Sequence, residues 1–251
     1  MVDRFWYLKN TSLFGQLPPD RISTLEKRSK YRKYAAKSLV YLPADQGDSV
    51  LLLASGRVKM YHITSEGKQS ILAFIDAGEL FGELSLFDSG PREEFAETME
   101  ASSVILIPGS EIQLLMEEFP VVSLAITQLM GLRRRRIERR LKSLLYRSPR
   151  ERIVHLLLEL AEKYGRMTEQ GVFIDVKLSH QEMSNVIGTT REMVTVMLGE
   201  LREQRNIDIT RRRIILKDMD RLAETIDEPS PVLPTTPNVD VQAAKRARTG
   251  S

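Results

Sequence analysis

The sequence predicts an α+β chain: a jelly-roll β domain, then a long helix, then a winged helix-turn-helix. Three observations predict it. Between Leu39 and Ile107 the short apolar runs Leu39–Leu42, Val50–Ala54, Val58–Ile63, Ile71–Ile75 and Val104–Ile107 alternate with Gly47, Gly56, Gly67, Gly78, Gly82 and Gly90, the spacing of an antiparallel barrel or sandwich. From Ser110 to Tyr146 the pattern is helical, interrupted at Pro120. Within Leu178–Leu201, Ser179 stands three residues before Glu182 and Thr189 three before Glu192, two capping-box patterns with Gly188 just ahead of the second.

In chain order, residues 1–30 read as helical and connecting, with Ile22 and Leu25 at helical spacing behind Pro18-Pro19-Asp20. Residues 1–116 form the β domain and 117–147 the long helix. There Met130, Ile137 and Leu144 recur every seven residues, with Leu141 between, which is an a/d seam joining two chains or an ordinary amphipathic face on its own domain. Arg133–Arg136, Arg139 and Arg140 make this helix strongly cationic. Such runs are normally solvated, but Arg134 lies near the seam, where a buried charge needs a partner. Residues 148–222 form the third domain: Pro149 opens a helix over Arg150–Tyr164 striped by Ile153, Leu156, Leu157 and Leu160, a short strand follows at Val172–Val176, and then come the two capped helices. Ile207–Thr210 and Ile214–Leu216 make two strands around Arg211-Arg212-Arg213, a cationic wing. Residues 227–251, with Pro229, Pro231, Pro234 and Pro237, lack core-forming residues and read as a disordered tail; Lys245-Arg246-Ala247-Arg248 is a weak nucleic-acid contact or an inert solvated end.

A net charge of +3 over 251 residues looks nearly neutral, yet residues 1–130 hold 13 basic and 17 acidic side chains and the remainder 24 and 17. One half is suited to a polyanion and the other is not. The absence of cysteine excludes disulfides, thiolate metal sites, iron–sulfur clusters and cysteine nucleophiles. No apolar run reaches the ~18 residues of a membrane span, and no secretory signal is evident near Asp3 and Arg4, so a cytoplasmic protein without a membrane partner is expected.

In the paired helices Met183, Val186 and Ile187, then Val194, Leu198 and Leu201, face inward. The outer face of the second helix presents Thr190, Arg191, Thr195, Val196 and Arg202, with Glu192 near its start. Guanidinium grips guanine O6 and N7, and carboxylate accepts from cytosine N4, so this face suits a DNA major groove, with the wing along phosphates. A helical hairpin that merely packs leaves the clustering of cations at helix start and wing tip unexplained.

These residues, in this order, resemble the Crp/Fnr superfamily of bacterial transcription regulators. The resemblance covers about residues 12–222 and rests on Phe81-Gly82-Glu83-Leu84-Ser85-Leu86 with Gly90-Pro91-Arg92, and on Leu178-Ser179-His180-Gln181-Glu182 with Ile187-Gly188-Thr189-Thr190-Arg191-Glu192. It implies a cyclic-nucleotide-binding-like β domain, a dimerisation helix, a homodimer on a palindromic double-stranded operator, and RNA polymerase as a partner. Carried over by position, Arg191 and Glu192 read a G·C pair, with Thr190, Thr195 and Val196 as the other base-facing residues. Val196 replaces a base-reading Arg of the cyclic-AMP receptor, so the half-site differs there. Ser179, His180, Gln181, Thr189, Arg202, Arg211, Arg212 and Arg213 are the phosphate contacts. Met130, Ile137, Leu141 and Leu144 form the dimer seam.

The implied effector pocket comprises Gly82, Glu83, Leu84, Arg92, Arg133, Ile137 and Glu138. Glu93 and Glu94 directly after Arg92 oppose a nucleotide phosphate, which argues against cyclic AMP. Arg133 and Glu138 match the ligand site of the 2-oxoglutarate-responsive NtcA-type members, making 2-oxoglutarate a candidate, although Glu83 and Glu94 depart from that pattern. An effector-independent regulator, with Arg92 paired to a neighbouring carboxylate, stands beside these. The rival class, a metal-dependent β-barrel enzyme, needs several converging histidines. His62, His155 and His180 are spread over a strand, a helix and a helix start, a lone haem ligand is conceivable only as an isolated case, and no catalytic or metal-ligating set is expected.

Overall fold

The computed structural model describes residues 14–87, 90–210 and 213–234. Arg211, Arg212 and the last seventeen positions of the expected tail lie outside the described residues. The chain divides into two compact units between Arg136 and Ile137.

In the first unit, helix α1 (Pro19–Arg28) precedes eight strands: β1 (Lys30–Tyr34), β2 (Leu39–Tyr41), β3 (Ser49–Ser55), β4 (Arg57–Ile63), β5 (Gln69–Asp76), β6 (Leu80–Phe81), β7 (Phe95–Thr98) and β8 (Ser102–Pro108). They form two antiparallel four-stranded sheets, ordered β1-β8-β3-β6 and β2-β7-β4-β5. The sequence explains the layering through β3. Its residues 50–54 are apolar on both faces because the first sheet is buried on both sides. Leu51 and Leu53 pack with Val104, Phe81, Tyr41, Val58, Met60, Ile75 and Ala96 between the sheets. Val50, Leu52 and Ala54 face the other way, onto Ile22 and Leu25 of α1 and onto Ile112, Leu115, Val122 and Ile126 of two later helices.

Those helices are α2 (Gly109–Glu118) and α3 (Pro120–Tyr146). Pro120 ends one and opens the other, as expected from the sequence, and the chain bends there by 118°. Among the described residues no single helix is long and apolar enough to cross a membrane. Three strands of the first unit were not legible in the apolar pattern. β1 is Lys-Tyr-Arg-Lys-Tyr, an edge strand held by backbone pairing to β8 from Lys30↔Leu106 to Tyr34↔Ser102, and β6 and β7 are two and four residues long.

In the second unit, α4 (Pro149–Tyr164) starts in a full capping box of Ser148 and Glu151 and buries Ile153, Leu156, Leu157 and Leu160. The hairpin β9 (Gly165–Thr168) and β10 (Gly171–Ile174) joins β11 (Ile207–Thr210) and β12 (Arg213–Leu216) in the order β11-β12-β10-β9, so the expected two-stranded wing is the edge of a four-stranded sheet. Between them lie α5 (His180–Ile187) and α6 (Arg191–Glu203), and α7 (Met219–Glu224) follows.

His155 of α4 is mostly buried, its Nε2 3.7 Å from Glu228, which also pairs with Arg147. Burial lowers its pKa below the ordinary 6.5, with Glu228 opposing. A depressed histidine pKa means that the unfolded chain takes up the proton first. Its stabilising contribution is therefore complete above about pH 6.5 and is lost as pH falls through that value toward the folded pKa. Thermal melting between about pH 7.5 and about pH 5.5 should show a decline in Tm that is shallower in His155→Gln.

Candidate nucleic-acid interface and sensor site

Helix α5 is set by its cap. Ser179 Oγ accepts from the Glu182 amide at 3.2 Å, and Glu182 Oε2 accepts from the Ser179 amide at 2.8 Å and from its hydroxyl at 2.7 Å. Ser179 therefore has no donor left for a phosphate. Gly188 closes the helix in the left-handed region at φ 66°, where a side chain would be strained, and the Thr189 amide donates back to Ser184 O.

The second helix begins one residue later than its capping pattern predicts. Thr190, not Thr189, is the N-cap, its Oγ1 accepting from the Met193 amide at 3.2 Å. This shift has a chemical consequence. Glu192 becomes the second helical residue instead of the third, so its carboxylate does not fold back on the cap and stays exposed beside Arg191. Val194, Leu198 and Leu201 are buried as expected, joined by Met197, whereas Val186 is only half-buried.

Thr195 and His180 tie the two helices together. Thr195 Oγ1 donates to Arg191 O at 3.0 Å and makes a 2.7 Å hydrogen bond with His180 Nδ1. Thr195 has no hydroxyl proton for a base edge and offers a methyl group. Sequence reasoning missed Met193: at 44% exposure it stands one turn before Val196 at 55%, an apolar pair beside the polar first turn. Gln181 is exposed and hydrogen-bonded to Asn185, and Arg202 is exposed with Asp208 4.0 Å away. Arg213 is spoken for on its own domain, over the Phe173 ring at 5.1 Å and 3.7 Å from Asp175.

In the first unit, Gly82, Glu83, Arg92 and Arg133 come together, but not as an open anion seat. Gly82 is left-handed at φ 67° and begins the 3₁₀ turn Glu83–Leu86. Arg92, 8% exposed, donates through Nη1 to Gly82 O at 2.7 Å and through Nη2 to Ser49 O, and its guanidinium lies 4.6 Å from the Tyr41 ring centre. The Tyr41 hydroxyl donates to Glu94 at 2.8 Å. Burial pushes this phenol far above its ordinary pKa, and Glu94 adds to the rise. Arg133 pairs with Glu83, itself 2% exposed, and donates to Leu80 O.

Glu93 points outward, so of the two carboxylates expected beside Arg92 only Glu94 is inside. Leu84 is exposed, and Ile137 and Glu138 are exposed residues of the second unit. Buried Glu83, Glu94 and Arg92 and half-buried Arg133 sum to zero formal charge. An anionic cyclic phosphodiester seated here would compete with Gly82 O and Ser49 O for the Arg92 guanidinium. Arg133, the cation expected to hold 2-oxoglutarate, is paired with Glu83. Among the described residues no group of three or more His, Asp, Glu or Cys is placed to hold a metal.

Comparison with known proteins agrees with both units. Residues 31–119 match the cyclic nucleotide-binding domain family and residues 151–225 the Crp-like helix-turn-helix domain family. The chain is 31% identical over 204 residues to a global nitrogen regulator of Synechocystis sp., covering 80% of this chain and 87% of that one. It is 24% identical over 216 residues to a CRP-like cAMP-activated global transcriptional regulator of Mycobacterium tuberculosis, covering 86% and 96%. A CooA variant from Carboxydothermus hydrogenoformans superposes with a TM-score of 0.75 at 25% identity, covering 86% of this chain and 96% of that one.

The cap register is open to measurement. Thr190→Val, which keeps the shape and removes the acceptor, should cost about 1 kcal/mol and lower Tm by a few degrees, while Thr189→Val should leave Tm unchanged. The opposite pattern would restore the earlier cap.

Proposed function

The chain belongs to the Crp/Fnr family of DNA-binding transcription regulators, and from that premise we propose that it acts as a homodimer, laying one α6 helix per subunit into successive major-groove faces of a palindromic operator. The observation that carries this is the first turn of α6, where Arg191 and Glu192 are exposed together while Val194, Met197, Leu198 and Leu201 anchor the opposite face. Arg191 reads guanine, and Glu192 accepts from cytosine N4. Val196 and Met193, with the Thr195 methyl, meet thymine methyl groups. His180, Gln181, Thr189 and Arg202 contact phosphates beside the wing residues Arg211 and Arg212. Ser179 and Arg213, engaged within their own domain, serve as supports.

Pairing uses α3, where Ile137 is 66% exposed and Leu141 and Leu144 are also exposed, with Met130 half-buried at the head of the seam. Unpaired apolar side chains at seven-residue spacing on a long helix are stabilised by a second copy. RNA polymerase as the downstream partner and a cytoplasmic location follow from the family alone. No enzymatic activity is proposed.

A second reading concerns the effector and is favoured by the neutral cluster around Arg92. In this reading the chain binds DNA through α6 without cyclic AMP or 2-oxoglutarate, the anion seat of its β domain being filled by its own ions.

On a cognate palindrome, Arg191→Ala should weaken binding by about 10- to 100-fold and relax preference at the G·C step. Unchanged affinity in a gel-shift titration would remove α6 as the reading helix. Affinity should also fall steeply with rising salt, as phosphate neutralisation requires. In a thermal-shift titration, cyclic AMP, cyclic GMP and 2-oxoglutarate should each leave Tm unmoved; a clear rise with any of them would defeat the effector reading.

A further inference from the structure

We propose that Arg140 of the long helix, assisted by Arg152 of α4, positions the recognition helix by gripping the carbonyl end of α5, and so sets the distance between the two DNA-reading helices of the dimer; this rests on the homodimeric reading above. A helix leaves its last carbonyls without intrahelical donors and carries partial negative charge at that end. In α5 those acceptors are met by two guanidinium groups from outside the motif. Arg140 Nη2 donates to Val186 O, and Arg152 Nη1 donates to Ile187 O at 2.7 Å, with Gly188 O 3.5 Å away. Arg152 is itself fixed by a bond from Nε to Arg147 O at 3.2 Å. Leu144 closes the platform: a Cβ placed on Gly188 would lie 3.4 Å from its methyl group.

The link from this grip to the bases is short. Only Gly188, Thr189 and Thr190 separate Ile187 from Arg191, and Gly188 and Thr190 are both conformationally committed, one left-handed and the other as the cap. Where the guanidinium groups hold the turn, Arg191 and Glu192 follow. On the other side, Arg140 lies three residues after Ile137 and directly before Leu141, within the exposed apolar seam. The pairing surface and the grip thus belong to one stretch of α3. Burial lowers the Arg140 pKa, with Glu159 opposing, as befits a guanidinium withdrawn from water to serve carbonyl oxygens. The arginine run that looked like a solvated face therefore contains a residue with a task.

The test uses the full chain and fluorescence anisotropy on three duplexes: a single half-site, the palindrome at its natural spacing, and the palindrome with one base pair inserted between the halves. Wild type should favour the natural spacing. Arg140→Gln should bind the single half-site within about twofold of wild type, lose about tenfold on the natural palindrome, and cease to distinguish the two spacings. Arg140→Lys, which keeps the cation and guards against loss of folding, should shift in the same direction, since a single ammonium lacks the planar fork. Retained spacing discrimination in both variants, or an equal fall on all three duplexes, would overturn the proposal. If wild type itself ignored spacing, the dimeric reading would fail first and this inference with it.

Discussion

A guanidinium taken out of water must be met by acceptors, and this constraint organises both units of the chain. In the first unit Arg92 is spent on the carbonyls of Gly82 and Ser49 and on the face of Tyr41, and Arg133 on Glu83 and Leu80 O. In the second, Arg140 and Arg152 satisfy the open end of α5, and Arg147 meets Glu228. Two of these sets hold backbone that bears on function: Arg92 and Arg133 at the start of the 3₁₀ segment in the β domain, and Arg140 and Arg152 at the turn of the helix pair. Removing a partner in either place would strand a buried polar group, which costs more than an exposed ion pair contributes.

The same chemistry separates the two halves by role. The front half is net acidic, and its interior cations Arg92 and Arg133 are matched by carbonyls or a carboxylate. The back half carries the surplus, and part of it is outward: Arg191 on the first turn of α6 and Arg202 on its last are exposed. The near-neutral total of +3 therefore conceals two surfaces of opposite affinity for polyanions.

Much of this was legible in the sequence, for identifiable reasons. Apolar runs bounded by glycine located β2, β3, β4, β5 and β8, and Pro120 located the break between α2 and α3, because local pattern decided those elements. The strand β1 was not legible because three of its five residues, Lys30, Arg32 and Lys33, are cationic, and pairing with β8 and the packing of Tyr31 and Tyr34 hold it in place. The cap of α6 moved from Thr189 to Thr190 because both are threonines and the left-handed Gly188, not the carboxylate three residues on, decides where the helix starts. Glu93 and Glu94 are identical in type, so only strand alternation through β7 could tell which one is buried. The task of Arg140 was invisible within a run of arginines, since its acceptor lies 46 residues away in the chain.

In the proposed function, α6 of a two-fold dimer reads a palindrome without help from a nucleotide. Selection of bound duplexes from a randomised pool by the purified full chain, with no effector added, tests it most directly. The expected result is enrichment of an inverted repeat with a G·C step in each half and half-site centres about one helical turn apart. No enriched repeat, or one that emerges only when a cyclic nucleotide is supplied, would contradict it.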